Sequence, residues 1–155
     1  MDRLFHFDTA IVPYRADACV VSCFDARFEL ATRKFIKRRG VVLADHVRVA
    51  GGARGLAAPR EESERAFLIG QVQASMRLHQ TTRVLLVAHS DCGAYGGLEA
   101  FGGDPAREAE RHRADLARAA GALRAAVAGI AVECYFADAS GIRDVPEVAD
   151  VCSGK

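Results

Sequence analysis

The segment VLLVAHSDCGAYGG, residues 84–97, places a histidine and a cysteine three residues apart at the end of an apolar run. Imidazole nitrogen and thiolate sulfur are ligands that zinc prefers in proteins, and a catalytic zinc site typically has three protein ligands. Cys23 follows another apolar run, residues 18–22, and can supply the third ligand. Cys23, His89 and Cys92 are therefore the candidate metal ligands, with the fourth position left for water.

A carboxylate and an arginine follow the first of these ligands in the segment CFDAR. If the chain stays extended, Cys23, Asp25 and Arg27 share one face, since alternate residues of a strand point the same way. Asp25 can then accept a hydrogen bond from a zinc-bound water, while Arg27 keeps the carboxylate ionised. Asp25 can instead be a fourth ligand of a closed, structural zinc site. Arg27 favours the open alternative, because it gives Asp25 another partner.

The elements that must position these side chains can be predicted from the hydrophobic pattern. Short apolar, β-branched runs predict four strands, over residues 18–22, 46–50, 83–88 and 130–136. The third run is apolar without a break, which is typical of a strand buried on both faces in a parallel sheet.

Three helices are predicted between these strands. The first begins near Phe28 and ends at Gly40, and the third begins at Asp104 and Pro105 and continues to about residue 127. The second covers residues 62–79 and turns four side chains toward the core, namely Phe67, Ile69, Val72 and Met76. The segment ARGLAAPREES before it is expected to be a loop. This alternation predicts an α/β fold with a mainly parallel β-sheet flanked by helices.

In parallel sheets, ligands bind beyond the carboxyl ends of the strands. Cys23 follows the first predicted strand, Gly51 and Gly52 follow the second, and His89 and Cys92 follow the third. All of these residues are therefore expected at one edge of the sheet. The glycines are expected to be turn residues with unusual backbone angles.

Four separated segments together resemble the β-class carbonic anhydrases. CFDAR and HSDC are similar to the Cys-x-Asp-x-Arg and His-x-x-Cys motifs of that family. VRVAGG resembles its Arg-x-Ala-Gly segment, and YFADASGIRDV resembles its last strand and turn. The resemblance implies zinc held by Cys23, His89 and Cys92, a catalytic dyad of Asp25 and Arg27, and a homodimer or higher homo-oligomer. It also implies reversible hydration of carbon dioxide to bicarbonate by zinc-hydroxide attack.

The chain departs from this family in a short region before Cys23, an arginine-rich loop after Gly52 and a compact segment after Cys92. These departures leave the substrate open, since relatives of the family hydrolyse carbonyl sulfide or carbon disulfide with the same ligands. A non-enzymatic structural-zinc or binding module is the alternative from another class.

Composition adds few constraints of its own. At 155 residues the chain is expected to form one domain over residues 1–155, and its net charge of +1 favours neither nucleic acid nor a membrane as a partner. The N-terminal segment is a poor signal peptide, which predicts a cytoplasmic location. The remaining histidines and cysteines considered are expected to be ordinary core or surface residues: His46, His79, His112, Cys19, Cys134 and Cys152.

Overall fold

The computed structural model describes residues 4–146, and within them five strands form one sheet. The strands are β1 (Ala18–Cys23), β2 (Ala44–Val49), β3 (Arg83–His89), β4 (Ala131–Asp138) and β5 (Gly141–Asp144). They lie in the order β2-β1-β3-β4-β5, with the first four parallel and β5 antiparallel to β4. The predicted α/β fold with a mainly parallel sheet is confirmed. Strand β5 is an addition to the four predicted strands, and Cys152 lies outside the described residues.

Within the described part of the chain, four α-helices connect and cover these strands. They are α1 (Glu29–Arg38), α2 (Arg54–Ala57), α3 (Glu62–His79) and α4 (Pro105–Ala126), with 3-10 turns at Ala26–Phe28, Gly93–Tyr95 and Leu98–Phe101. Helix α4 begins as predicted, because the Asp104 side chain accepts the backbone N–H of Ala106 at 2.8 Å and Pro105 occupies the first turn. None of the helices in residues 4–146 combines the length and apolar character that crossing a membrane requires.

The sheet is covered on both faces, so alternate residues of one strand enter different cores. Val21 of β1 packs in a cluster with Leu68 and Val72 of α3, whereas Val20 packs with Ile36 of α1. This double burial explains the unbroken apolar run of β3, whose residues from Val84 onward are buried.

Two local predictions are wrong. Phe67 is 56 % exposed, and the neighbouring Leu68 is buried in its place. The buried stripe of α3 is formed by Leu68, Val72 and Ser75. The helix is therefore rotated so that position 68, and not position 67, faces the core. The segment predicted to be a loop before this helix contains α2, whose Leu56 is fully buried.

The strand register brings the carboxyl ends of β1, β2 and β3 to one edge. Cys23 ends β1 opposite Val49 of β2, and β1 also pairs directly with β3, which ends at His89. The predicted convergence at one edge of the sheet follows from this parallel pairing.

Candidate metal centre

Three ligand atoms meet at the carboxyl edge of β1 and β3. The Sγ atoms of Cys23 and Cys92 and a ring nitrogen of His89 all lie within 4.8 Å of one another. The two sulfur atoms are 4.0 Å apart. Two thiolates bound to one tetrahedral zinc at about 2.3 Å each are separated by about 3.8 Å, so the observed spacing suits this metal. The three predicted ligand residues are thus brought together.

The His89 ring is oriented by its own loop. Its Nδ1 lies 2.8 Å from the Ser90 carbonyl oxygen, which can only accept, so Nδ1 carries the hydrogen and Nε2 has a free lone pair. Nε2 is buried and has no hydrogen-bond partner among the described residues. The Phe28 ring packs against the imidazole with ring centroids 4.6 Å apart. A buried nitrogen left without a partner beside two thiols fits a metal ion.

The two neighbouring cysteines differ in protonation: the environment favours a thiolate at Cys23 and a thiol at Cys92. The Cys92 thiol donates toward the Cys23 sulfur, which lowers the pKa of Cys23 well below its ordinary value, and other hydrogen bonds to Cys23 act the same way. The neighbouring Cys23 thiolate, together with burial, raises the pKa of Cys92. The pair therefore presents a thiolate, which is the form that binds a metal cation.

The two glycines after β2 allow the chain to approach this centre closely. Both have the positive φ angles that were predicted, +73° at Gly51 and +53° at Gly52. A Cβ atom at Gly51 would lie 2.9 Å from the Cβ of Ala94, in the loop that follows Cys92. The glycines therefore do more than reverse the chain, because they let the loop after β2 pack against the metal-site loops.

Asp25 and Arg27 form a close ion pair, but the extended backbone assumed from the sequence is wrong. The chain turns at Asp25 into the 3-10 helix Ala26–Phe28, and the Asp25 side chain accepts the Arg27 backbone N–H at 2.9 Å. The turn brings the side chains together: Arg27 Nε lies 3.1 Å from both carboxylate oxygens, and Nη2 lies 2.7 Å from Oδ2. The pairing results from a local turn and not from strand alternation.

The Asp25 carboxylate stands beside the metal ligands without joining them. Its Oδ2 is 4.0 Å from His89 Nε2, but it is not part of the group whose ligand atoms are all mutually close. The hydrogen bonds from Arg27 lower the pKa of Asp25 to about 2, against a smaller opposing effect of burial. Asp25 is thus an ionised hydrogen-bond acceptor facing the centre near neutral pH.

Sequence reasoning missed two acidic residues next to this centre. Asp91 lies between the two predicted ligands of the HSDC segment, and its Oδ2 accepts a hydrogen bond from Arg27 Nη1 at 2.8 Å. Glu108 lies on the first turn of α4, is 1 % exposed, and accepts the Asp91 backbone N–H at 2.6 Å. A signal for Glu108 was its position on the buried face of an amphipathic helix, where a carboxylate is unusual.

Cys23 lines two clefts. One of about 560 Å³ reaches Asp25 and is otherwise lined by small or apolar residues, including Phe24, Ala26, Ala50, Gly51 and Ala94. The other, of about 350 Å³, has His89 in its wall and charged residues around it, including Glu29, Arg33 and Arg48. The cleft next to Asp25 offers a small, uncharged molecule a place beside the carboxylate.

Several solved structures with a similar architecture are named carbonic anhydrases or β-carbonic anhydrases. The enzyme from Streptococcus mutans is 20 % identical and has a TM-score of 0.55, with 90 % of this chain and 88 % of that chain covered. The β-carbonic anhydrase isoform I of Trichomonas vaginalis is 13 % identical with a TM-score of 0.54, and the comparison covers 92 % and 88 % of the two chains. One of two tetrameric β-carbonic anhydrases of Sordaria macrospora is 13 % identical with a TM-score of 0.52, covering 85 % and 81 %.

The sheet and the cluster at its carboxyl edge therefore define an α/β protein of the β-carbonic anhydrase fold. Residues 15–146 match the family described as "Putative carbonic anhydrase", and the chain belongs to this family. No curated protein matches the chain.

Proposed function

We propose that this protein is a zinc enzyme that hydrates carbon dioxide reversibly to bicarbonate. The observation that carries the proposal is the position of Asp25, which is held by Arg27 and faces the Cys23, His89 and Cys92 cluster from outside it. This arrangement leaves a fourth position for water among three protein ligands, which is the pattern of a catalytic zinc site.

The donor set suits zinc by its chemistry. Cys23 and Cys92 would bind it through sulfur and His89 through Nε2, whose lone pair has no other partner among the described residues. When bound there, zinc would make hydroxide available near pH 7 by lowering the pKa of water. The Ser90 carbonyl fixes the His89 ring through Nδ1, which keeps Nε2 directed at the metal position.

Asp25 and Arg27 have distinct tasks in this proposal. The Asp25 carboxylate would accept a hydrogen bond from the O–H of the hydroxide and so direct an oxygen lone pair of the hydroxide toward the carbon of carbon dioxide. The proton released when water becomes hydroxide passes to the solvent. Arg27 keeps the carboxylate ionised and prevents it from becoming a metal ligand, because it donates hydrogen bonds to both carboxylate oxygens. The apolar cleft beside Asp25 suits a neutral, linear substrate.

The two alternatives differ from this proposal in ways that can be measured. A structural-zinc or binding module requires a closed site with Asp25 as the fourth ligand, and the Arg27 hydrogen bonds to both carboxylate oxygens oppose that arrangement. Carbonyl sulfide and carbon disulfide would be attacked by the same geometry, so they are competing substrates of one site.

We propose that the working form is a homodimer or a larger homo-oligomer. The N-terminal arm, residues 4–17 before β1, exposes large apolar side chains on the single chain, including Leu4, Phe5 and Ile11. Phe24, which lines the cleft beside Asp25, is exposed as well. The tetrameric assembly of the Sordaria macrospora enzymes is consistent with this proposal. The cytoplasmic location and the extent of one domain over residues 1–155 stay predictions.

Stopped-flow measurement of carbon dioxide hydration by the zinc-loaded protein tests the proposed function. Carbonyl sulfide and carbon disulfide are assayed beside it under the same conditions. Turnover of carbon dioxide above that of either sulfur compound supports the proposal. Preferential turnover of a sulfur compound would identify that compound as the substrate in place of carbon dioxide. A fully zinc-loaded protein that turns over none of the three would point to the binding module.

A further inference from the structure

The Arg27 guanidinium donates hydrogen bonds to two residues, and Asp25 is one of them. The other is Asp91: Nη1 donates to Asp91 Oδ2 at 2.8 Å and Nη2 donates to the Asp91 carbonyl oxygen at 2.9 Å. The Arg27 side chain is 56 % exposed, so without Asp91 its guanidinium would keep only the Asp25 hydrogen bonds and the contact with the Phe28 ring, whose centroid is 5.9 Å from Cζ. Asp91 therefore limits where the arginine can place the Asp25 carboxylate.

Asp91 is itself fixed in an uncommon conformation. Its φ angle is +52°, in the left-handed region that aspartate and asparagine tolerate better than most residues. Its Oδ1 accepts the Leu98 backbone N–H at 3.0 Å, which closes the loop after Cys92. A Cβ atom at Gly97 would lie 2.9 Å from this same oxygen, so glycine is what permits the contact.

The Asp91 backbone is in turn held by a hydrogen bond from its N–H to Glu108. This carboxylate is 1 % exposed and accepts the Asp91 N–H at 2.6 Å. The nearest histidine gives it no positive charge: His112 Nε2 is 3.9 Å away, and burial lowers the pKa of His112 to about 4, which leaves the ring neutral at neutral pH. Burying a carboxylate is costly, so its contact with the loop N–H calls for an explanation.

We propose that Asp91 and Glu108 are positioning residues for the Asp25–Arg27 pair. Glu108 sets the backbone of Asp91, and Asp91 sets the guanidinium of Arg27, which presents Asp25 to the metal centre. The effect on turnover rests on the proposed function, but the effect on Arg27 itself does not. The proposal is therefore tested with one measurement of activity and one of the arginine side chain.

The first test substitutes Asp91→Asn. The amide oxygen still accepts the Leu98 N–H and asparagine tolerates the left-handed backbone, so the loop is retained while the negative charge is lost. We expect normal zinc content and a fall in kcat of about 10- to 100-fold, the usual range for a residue that supports a catalytic group. By NMR, the guanidinium hydrogens of Arg27, assigned by their loss in Arg27→Lys, should exchange with water faster than in the unsubstituted protein.

The second test separates positioning from packing at Glu108. Glu108→Leu replaces a buried carboxyl group with an apolar side chain of similar size, a change that is often neutral or stabilising for the fold. A purely structural role predicts unchanged kcat in this variant, whereas positioning predicts a lowered kcat and faster Arg27 exchange. Glu108→Gln keeps a carbonyl oxygen for the Asp91 N–H, so kcat and Arg27 exchange in this variant should equal those of the unsubstituted protein. Glu110→Leu, at an exposed site of the same helix, is the matched control.

The outcomes are distinguishable from failure of the proposed function. If the unsubstituted protein proves inactive, the NMR readout still decides the inference: faster Arg27 exchange in Asp91→Asn and Glu108→Leu supports it. If the protein is active, wild-type kcat and wild-type Arg27 exchange in Asp91→Asn overturn the inference and leave carbon dioxide hydration standing. A Glu108→Gln variant as impaired as Glu108→Leu would also overturn the part assigned to Glu108.

Discussion

Gly52 lies so close to Cys23 that no side chain fits between them. A Cβ atom at position 52 would stand 2.8 Å from the Cys23 backbone nitrogen and 2.8 Å from the Ser22 carbonyl carbon. The φ angle of Gly52 is +53°, which independently disfavours any other residue. The end of β1, which carries one candidate metal ligand, is thus located by contact with a glycine that follows β2.

Gly52→Ala should therefore damage both the fold and the metal centre. We expect the free energy of unfolding to fall by about 1 to 3 kcal/mol from the left-handed backbone alone, with a further loss from displacement of the Cys23 backbone. Zinc content should fall with it. Urea unfolding and metal analysis measure the two effects.

Gly70→Ala is the control for this substitution. Gly70 lies in α3 with nothing within 4 Å of an added Cβ atom, so alanine should stabilise the protein by about 0.5 to 1 kcal/mol through helix propensity. Equal stability and zinc content in both variants would contradict the close approach at Gly52.

Cys92→Ser should lose most of the bound zinc. A serine hydroxyl does not ionise near neutral pH and is a much poorer ligand than a thiolate, so about one zinc per chain should become a small fraction. Cys19→Ala is the control, because Cys19 is fully buried in the core at the other end of β1. Zinc content equal to that of the unsubstituted protein in Cys92→Ser would rule out the ligand assignment.

Arg27→Ala should keep its zinc and lose its activity. With Arg27 gone, the bound metal is the strongest positive charge left for Asp25, and the carboxylate can take the position of water. Loss of one well-placed electrostatic partner commonly costs about 10² to 10³ in rate. The cobalt-substituted protein reports the ligand change by its visible spectrum.

The exposed pair of Arg113 and Glu110 on α4 provides the comparison for this prediction. Arg113→Ala should leave both the hydration rate and the cobalt spectrum unchanged. A hydration rate in Arg27→Ala equal to that of Arg113→Ala would refute the role of the dyad.

The stability of the fold should depend on pH through Glu133, which lies on β4 near its amino end. Hydrogen bonds from Arg83, one of them 3.1 Å long, lower the pKa of Glu133 to about 2 in the folded protein. A lowered pKa stabilises the fold above the unfolded-state value near 4.5, and the contribution is lost as the pH falls toward the folded-state value. With a discount for partial exposure, the contribution near pH 7 is about 2 kcal/mol.

Glu133→Gln isolates this contribution. Urea unfolding of both proteins between pH 7 and pH 3 should show the unsubstituted protein more stable at pH 7 and the difference shrinking below about pH 4. A difference that stays constant over this range would exclude the ion pair as its source.

Light scattering should give a particle of at least twice the 16.6 kDa of one chain. Burial of the exposed apolar side chains of the N-terminal arm is the driving force that we expect. The same sample is diluted to the concentration of the hydration assay, where full activity in a monomeric state would contradict an obligate oligomer.

The elements and the ligand set could be predicted because their signals are local. A run of apolar residues in β3 shows double burial, and Asp104 with Pro105 marks the start of α4 in the sequence itself. Parallel pairing then follows from the alternation of strands and helices, and it brings Cys23, His89 and Cys92 to one edge without further information.

What the sequence did not reveal depends on contacts between distant residues and on exact helix rotation. Phe67 and Leu68 are adjacent and both apolar, and only the packing of α3 on the sheet decides which is buried. The bond from Asp91 to Glu108 spans 17 residues, and its existence depends on where α4 crosses the loop after β3. Asp25 and Arg27 were paired correctly but for the wrong reason, since a turn replaced the extended chain.

The sequence by itself therefore determined which chemical groups this protein carries and which edge of the sheet they share. Ligand type and strand order are encoded in short segments, where local propensity and hydrophobic period suffice. The tertiary structure alone decided how the groups are held: Gly52 packs against the Cys23 backbone, and Glu108 accepts the Asp91 N–H. Such contacts depend on distances of a few tenths of an ångström between elements far apart in the chain, and packing of the whole core sets them.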